Sequence, residues 1–208
     1  MSRTRIPKTE LTGVYGALVK WMSRRMFGAV PEPAEVVWHN RKVLNFSFSV
    51  GRKVQKWNQC DESLKSFAHM AVAAMVGCSF CLDLGYFGAR DQGLDLAKAR
   101  EVPRWRESDV FTPLERDVMD YAEAMTVTPP TVTDEMSERI LTAIGPAAMV
   151  ELTSYIALAN FMTRGNVAMG IESQEFSAAC GLEPLATASA PGRNFSHTGH
   201  TSLGEAGV

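Results

Sequence analysis

From Leu64 to Val76 the apolar residues Leu64, Phe67, Ala68, Ala71, Val72, Met75 and Val76 recur at helical spacing, with Asp61 placed to cap the start and Gly77 after the end. A helix apolar over so wide an arc has to be covered on most sides by other elements. The rest of the chain offers helices for that purpose, and strand signals are scarce. This predicts a single all-α domain over residues 1–185 of the 208, a size that can bury a real core.

The neighbouring elements follow from caps and breakers. Thr9 is expected to cap a helix through about Phe27, with Leu11, Val14, Tyr15, Leu18, Trp21 and Met22 at helical spacing. Pro31 and Pro33 break the chain before a short helix, Ala34 to His39. Arg41 to Trp57 reads as a third helix, although the alternation Phe46–Val50 also fits a strand. Beyond Gly77, helices are expected over Ser79 to Arg90 and Leu94 to Arg100, with a polar segment from Glu101 to Val110. Thr112-Pro113-Leu114-Glu115 is a strong start for a helix reaching Thr126. Thr133 opens another that ends near Gly145-Pro146, followed by a long apolar helix, Ala147 to Thr163, and a short one, Ser173 to Ala179. From Ala186 onward Ala, Ser, Thr and Gly dominate, and residues 186–208 read as a disordered tail containing His197 and His200.

The chemistry centres on Cys78-Ser79-Phe80-Cys81 at the expected start of a helix. A helix N-terminus carries partial positive charge, which stabilises a thiolate and lowers its pKa. Residues i and i+3 also lie within the roughly 4.4–6.8 Å Cα separation of a disulfide. One sulfur can therefore attack an oxidant and the other resolve the product. Two duller readings stand beside this one: an inert packed pair, and a metal site. The latter usually needs four ligands, and Cys60, Cys180, His39 and His69 have no ligand spacing to complete it.

A net charge of −2 gives no reason to expect a nucleic-acid partner. The basic residues Arg3, Arg5, Lys8, Lys20, Arg24 and Arg25 read as a solvated helix face rather than a membrane surface. No segment reaches the roughly 18–20 uninterrupted apolar residues of a membrane span, and the start lacks a signal-peptide pattern. The expectation is a cytoplasmic protein without a membrane partner, in a compartment where a working dithiol is more plausible than a structural bridge.

The succession Val76-Gly77-Cys78-Ser79-Phe80-Cys81-Leu82-Asp83, Thr112-Pro113-Leu114-Glu115-Arg116 and Glu151-Leu152-Thr153 running to Asn160-Phe161-Met162-Thr163-Arg164-Gly165-Asn166 resembles the carboxymuconolactone decarboxylase-like superfamily, and within it the alkylhydroperoxidase D branch. The resemblance covers roughly Leu64 to Phe176. It implies an oligomeric helical bundle, trimeric or hexameric, that reduces peroxides without a cofactor or metal and is recycled by an external dithiol. It further implies Cys81 as the attacking sulfur and Cys78 as the more exposed, resolving one. In that branch a glutamate twelve positions before the first cysteine and a histidine four after the second relay the proton. Here those positions hold Ser66 and Gly85.

His69, three residues after Ser66, is the candidate replacement base, or else a core or interface histidine. Asp83 is expected to serve as a dipole partner in the first turn of its own helix. Arg164 and Asn166 read as a helix ending, with the cation on terminal carbonyls. Phe80, Tyr86, Phe87 and Trp57 either line an apolar cleft or fill core and interface. Two alternatives to a thiol oxidoreductase stay open. One is a cofactor-free lactone decarboxylase or isomerase using Arg164 and His69; the other is a non-catalytic redox-sensing module.

Overall fold

The computed structural model describes residues 4–187, and the tail expected from 186 onward lies almost wholly outside them. Among the described residues the secondary structure is entirely helical. The helices are α1 Gly13–Phe27, α2 Glu32–Val37, α3 Arg41–Val54, α4 Glu62–Val76, α5 Ser79–Asp91, α6 Leu96–Glu101, α7 Pro113–Thr126, α8 Asp134–Met169 and α9 Phe176–Ala179, with a 3-10 turn at Val102–Glu107. Phe46–Val50 is helical, inside α3.

Helix α4 is the axis of the molecule. Asp61 caps it by accepting from the Ser63 amide, and Gly77 ends it at φ 78°, a left-handed conformation that suits glycine. Its faces feed three core clusters. Leu64, Ala68 and Val72 meet Val118, Tyr121 and Ala122 of α7 and Ile140, Leu152 and Ile156 of α8. Phe67, Met70 and Ala71 meet Tyr86, Ala99, Trp105, Phe111 and Met119. Ala73 joins Cys78, Phe80, Cys81, Phe87 and Phe176. Phe80, Tyr86 and Phe87 are therefore core residues, while Trp57 is partly exposed.

The capping box on α7 forms as its sequence requires: Thr112 Oγ1 accepts from the Glu115 amide, and the Glu115 carboxylate accepts from the Thr112 amide. In α8, Gly145 takes φ 79° and ψ 169°, so two helical runs meet there, and Pro146 leads the second. That second run continues to Met169, past the Thr163 expected from sequence. α8 is the described helix long and apolar enough to cross a membrane by length and composition, and here it packs against α4 and α7.

The first helix departs from expectation. It starts at Gly13 rather than after Thr9, and it buries Gly16, Val19 and Ser23. Val14, Leu18, Trp21 and Met22, the positions picked out by periodicity, face outward. With Leu11, Val19, Trp38 and Leu44 the N-terminal segment forms its own small cluster. Hydrogen bonds from Arg5 N–H to the Met169 carbonyl (2.9 Å) and from Glu32 N–H to Gln174 Oε1 (2.6 Å) tie it to the bundle.

Candidate redox site

Cys78 is the N-cap of α5: its Sγ accepts from the Cys81 amide at 3.3 Å. The two cysteines are joined as a disulfide, with Cα atoms 5.3 Å apart. Helical i to i+3 geometry at a helix start thus brings the sulfurs together without displacing either element. Cys78 is 1% and Cys81 3% exposed, so the expected greater exposure of Cys78 is not found. Both sit in an apolar cluster of Ala73, Phe80, Phe87, Ile171 and Phe176.

One polar side chain reaches a sulfur from across the fold. Asn166 Nδ2 donates to Cys81 Sγ at 3.3 Å. The sequence suggests a helix end at Asn166, but α8 continues to Met169 and ends at Gly170, which leaves the amide free to turn inward. No local signal marks this role, because 85 residues separate the partners. In the disulfide this amide donates to a neutral sulfur; once the bond is reduced, the same N–H is placed to donate to a thiol or thiolate.

At the two relay positions of the resembling branch this chain holds Ser66 and Gly85. A Cβ on Gly85 would fall 2.8 Å from Met70 Cγ, so the Met70 side chain fills the space a larger residue would need. The same point lies 4.0 Å from His69 Nδ1. Gly85 follows Cys81 by one helical turn on α5, and His69 precedes Ala73, a member of the Cys81 cluster, by one turn on α4. His69 therefore borders the face of α5 that carries Cys81. Its ring is edge-on to Tyr155 at 6.3 Å between centroids and keeps part of its surface in solvent. Burial pushes the imidazole down to about 4, so it is neutral at pH 7. Ser66 is buried on α4, one turn before Met70.

Asp83 does not serve its own helix as expected. Its buried carboxylate accepts from the Phe176 amide (2.8 Å) and the Ser177 amide (3.0 Å), and so caps the start of α9 instead. Arg164 donates to the Thr126 carbonyl at the end of α7 and to Asn160 Oδ1 at 3.3 Å, satisfying a helix end, though not that of its own helix. The remaining candidates are dispersed. His39 Nε2 bonds the Pro7 carbonyl at 2.8 Å, and Cys180 is exposed beside Arg90. Cys60 is buried in another cluster, where burial pushes its thiol up to about 11 despite the nearby Lys65. His197 and His200 lie outside the described residues.

Comparison with known proteins bears on the family and the fold. Residues 42–124 match the model of the carboxymuconolactone decarboxylase family. The uncharacterized protein YnjA of Escherichia coli (strain K12) is 34% identical over 157 residues, which span 74% of this chain and 85% of that protein. Two solved structures share the fold at a TM-score of 0.72, each over 85% of this chain. They are a variant of the debrominase Bmp8 in complex with 2,3,4-tribromopyrrole (17% identical, 96% of that chain) and a peroxidase-related protein from Silicibacter sp. TM1040 (15% identical, 95% of that chain). The chain belongs to the carboxymuconolactone decarboxylase and alkylhydroperoxidase D-like superfamily.

Proposed function

We propose that this protein is a thiol-dependent oxidoreductase that reduces an organic hydroperoxide through the Cys78–Cys81 dithiol. The observation that carries the reading is the pairing of the two cysteines at the first turn of α5, with the Asn166 amide on Cys81 Sγ. In the reduced protein the Cys81 thiolate attacks the terminal peroxide oxygen. The O–O bond breaks, the alcohol leaves with a proton, and Cys81 becomes a sulfenic acid. Cys78 then attacks that sulfur, expels water and closes the disulfide. An external dithiol reduces the disulfide by two exchange steps and is itself oxidised to a disulfide.

Neutral His69 takes the Cys81 proton and passes it to the departing alkoxide. At a pKa of about 4 the imidazole is neutral but a weak base, so in place of the relay absent at Ser66 and Gly85 it holds the proton only in passing. The protein works as a cytoplasmic homo-oligomer, and the apolar residues Val14, Leu18 and Trp21 left outward on α1 favour such association.

The test is stopped-flow mixing of the reduced protein with one equivalent of an organic hydroperoxide, followed by mass spectrometry of the cysteine peptides. Rapid formation of the Cys78–Cys81 disulfide is expected, and Cys81→Ser should abolish it. Thiols that oxidise no faster than a free thiol would refute the reading, and full turnover by Cys81→Ser would refute the assigned roles.

A further inference from the structure

A cleft of about 620 Å³ opens between the ends of three helices, near the start of α5 but lined by neither cysteine. Its apolar walls are Met75 and Val76 from the end of α4, Val127 after α7, and Val167 from the last turns of α8. Val76 immediately precedes Gly77-Cys78. Val167 follows Asn166, which donates to Cys81 Sγ, and packs against the cluster holding both sulfurs. The size is that of an ordinary small-molecule site, roughly 300–1,000 Å³.

Two guanidinium groups, Arg5 and Arg164, also line this cleft. Both are anchored by neutral oxygens. Arg5 Nη1 donates to the Val167 and Ala168 carbonyls, and Arg164 donates through Nε to Asn160 Oδ1 and through Nη2 to the Thr126 carbonyl. Among the described residues neither has a carboxylate partner, whereas Arg90, Arg100, Arg104, Arg106 and Arg139 are each paired with Asp or Glu. A guanidinium carries five N–H donors, so each retains some after these bonds. The cleft therefore combines an apolar bed with uncompensated positive charge at its wall.

We propose that this cleft binds an organic carboxylate with an apolar body. Resting on the peroxidase reading above, this makes the substrate a hydroperoxide that carries a carboxylate. The carboxylate sits on the arginines, by a forked pair of hydrogen bonds of the kind guanidinium favours. The apolar body lies along Met75, Val76, Val127 and Val167, with Val76 and Val167 marking the side of the cleft nearest the start of α5. A neutral hydroperoxide of similar bulk gains the apolar contacts alone.

The probe is octanoate, which has no oxidisable group, titrated calorimetrically into the oxidised full-length protein with 1-octanol as the neutral control. Saturable binding of one equivalent of octanoate is expected, with 1-octanol weaker. Arg164→Gln should weaken octanoate binding about tenfold, the usual scale of one charge-assisted bond. Since Arg164 also holds the end of α7, Met75→Glu provides a second variant: Met75 is 43% exposed, and a carboxylate there adds repulsion without removing an anchor. Absence of saturable binding, equal binding of 1-octanol, or wild-type affinity in both variants would overturn the proposal.

Turnover separates this inference from the one beneath it. With a fatty-acid hydroperoxide and cumene hydroperoxide compared, Met75→Glu should lower kcat/KM for both through the lost apolar contact, and more steeply for the first because of charge repulsion; equal losses would overturn the carboxylate site. If octanoate binds as expected while neither peroxide oxidises the dithiol, the peroxidase reading falls and the carboxylate site stands.

Discussion

The two ends of α4 handle polar chemistry in opposite ways. At the start, Lys65 is buried on the apolar axis, and every donor on its ammonium is used: Glu151 Oε1 at 2.9 Å, Glu62 at 2.8 Å and the Trp57 carbonyl at 2.9 Å. Glu151 in turn accepts from the Gln59 and Cys60 amides. Burial alone would lower the Lys65 pKa, but the hydrogen bonds to Glu62 and Glu151 outweigh it and the net shift is upward. Burial likewise opposes ionisation of Glu151, and the amide and ammonium donors overcome it. Beyond the other end, the dithiol has an apolar surround, one side-chain amide on Cys81, and a neutral histidine beside its helix face. The saturated end fixes the α3–α4 connection to α8. On the proposed function, the sparsely solvated end is the reactive one, and stability and reactivity are divided along one helix.

Perturbing each end should therefore give different kinds of loss. At the reactive end the largest effect is complete: Cys81→Ser should remove peroxide-dependent oxidation while leaving the thermal midpoint near wild type, as read by stopped flow and differential scanning fluorimetry. At the saturated end Lys65→Met strands a buried carboxylate and should cost about 3–5 kcal/mol in urea unfolding. Peroxide reactivity of the fraction still folded should be unchanged. A Lys65→Met variant that unfolds like wild type but loses reactivity would collapse the distinction between the two ends.

His69 should leave a mark on the acid side of the stability profile. Its folded-state pKa of about 4 lies below the ordinary 6.5, so the unfolded chain binds the proton more readily. Its neutral form contributes stability above pH 6.5, and that contribution drains away as pH falls toward 4. The loss is expected to reach about 2–3 kcal/mol. His69→Gln should flatten unfolding free energy across this window in a pH series of urea melts. Gly85→Ala should cost about 1–3 kcal/mol by pressing on Met70, and the Gly85→Ala, Met70→Ala double variant should lose less than the sum of its singles. The smallest effect belongs to the α7 cap, where Thr112→Ala should cost about 1 kcal/mol and leave both ends of α4 intact.

What the sequence disclosed depended on the range of the interaction. Asp61, Gly77 and Thr112 marked helix ends to within a residue, because caps are local chemistry. The helical α1 was legible too, but not its orientation. Periodicity shows that one face is apolar and does not say what covers it, and Val14, Leu18 and Trp21 face outward. The dithiol was readable because its partners are three residues apart. Asn166 on Cys81 and Asp83 on α9 were not, since each contact spans 85 residues or more and its signal is an ordinary polar side chain. The approach of His69 to Gly85 needed coordinates, because it rests on how Met70 and His69 pack against α5.

That Cys78 serves as the helix cap has a bearing on how the molecule would cycle. Its sulfur accepts the Cys81 amide while bonded to the Cys81 sulfur, so a single turn of backbone registers the oxidation state. Gly77 separates that turn from α4, and Asp83 clamps the following turn to α9. Reduction is then expected to act first on that turn and on Asn166, which donates to Cys81 Sγ. A crystal of the oxidised protein soaked in a small dithiol should keep its cell and its diffraction, with difference density confined to the two sulfurs and their immediate neighbours.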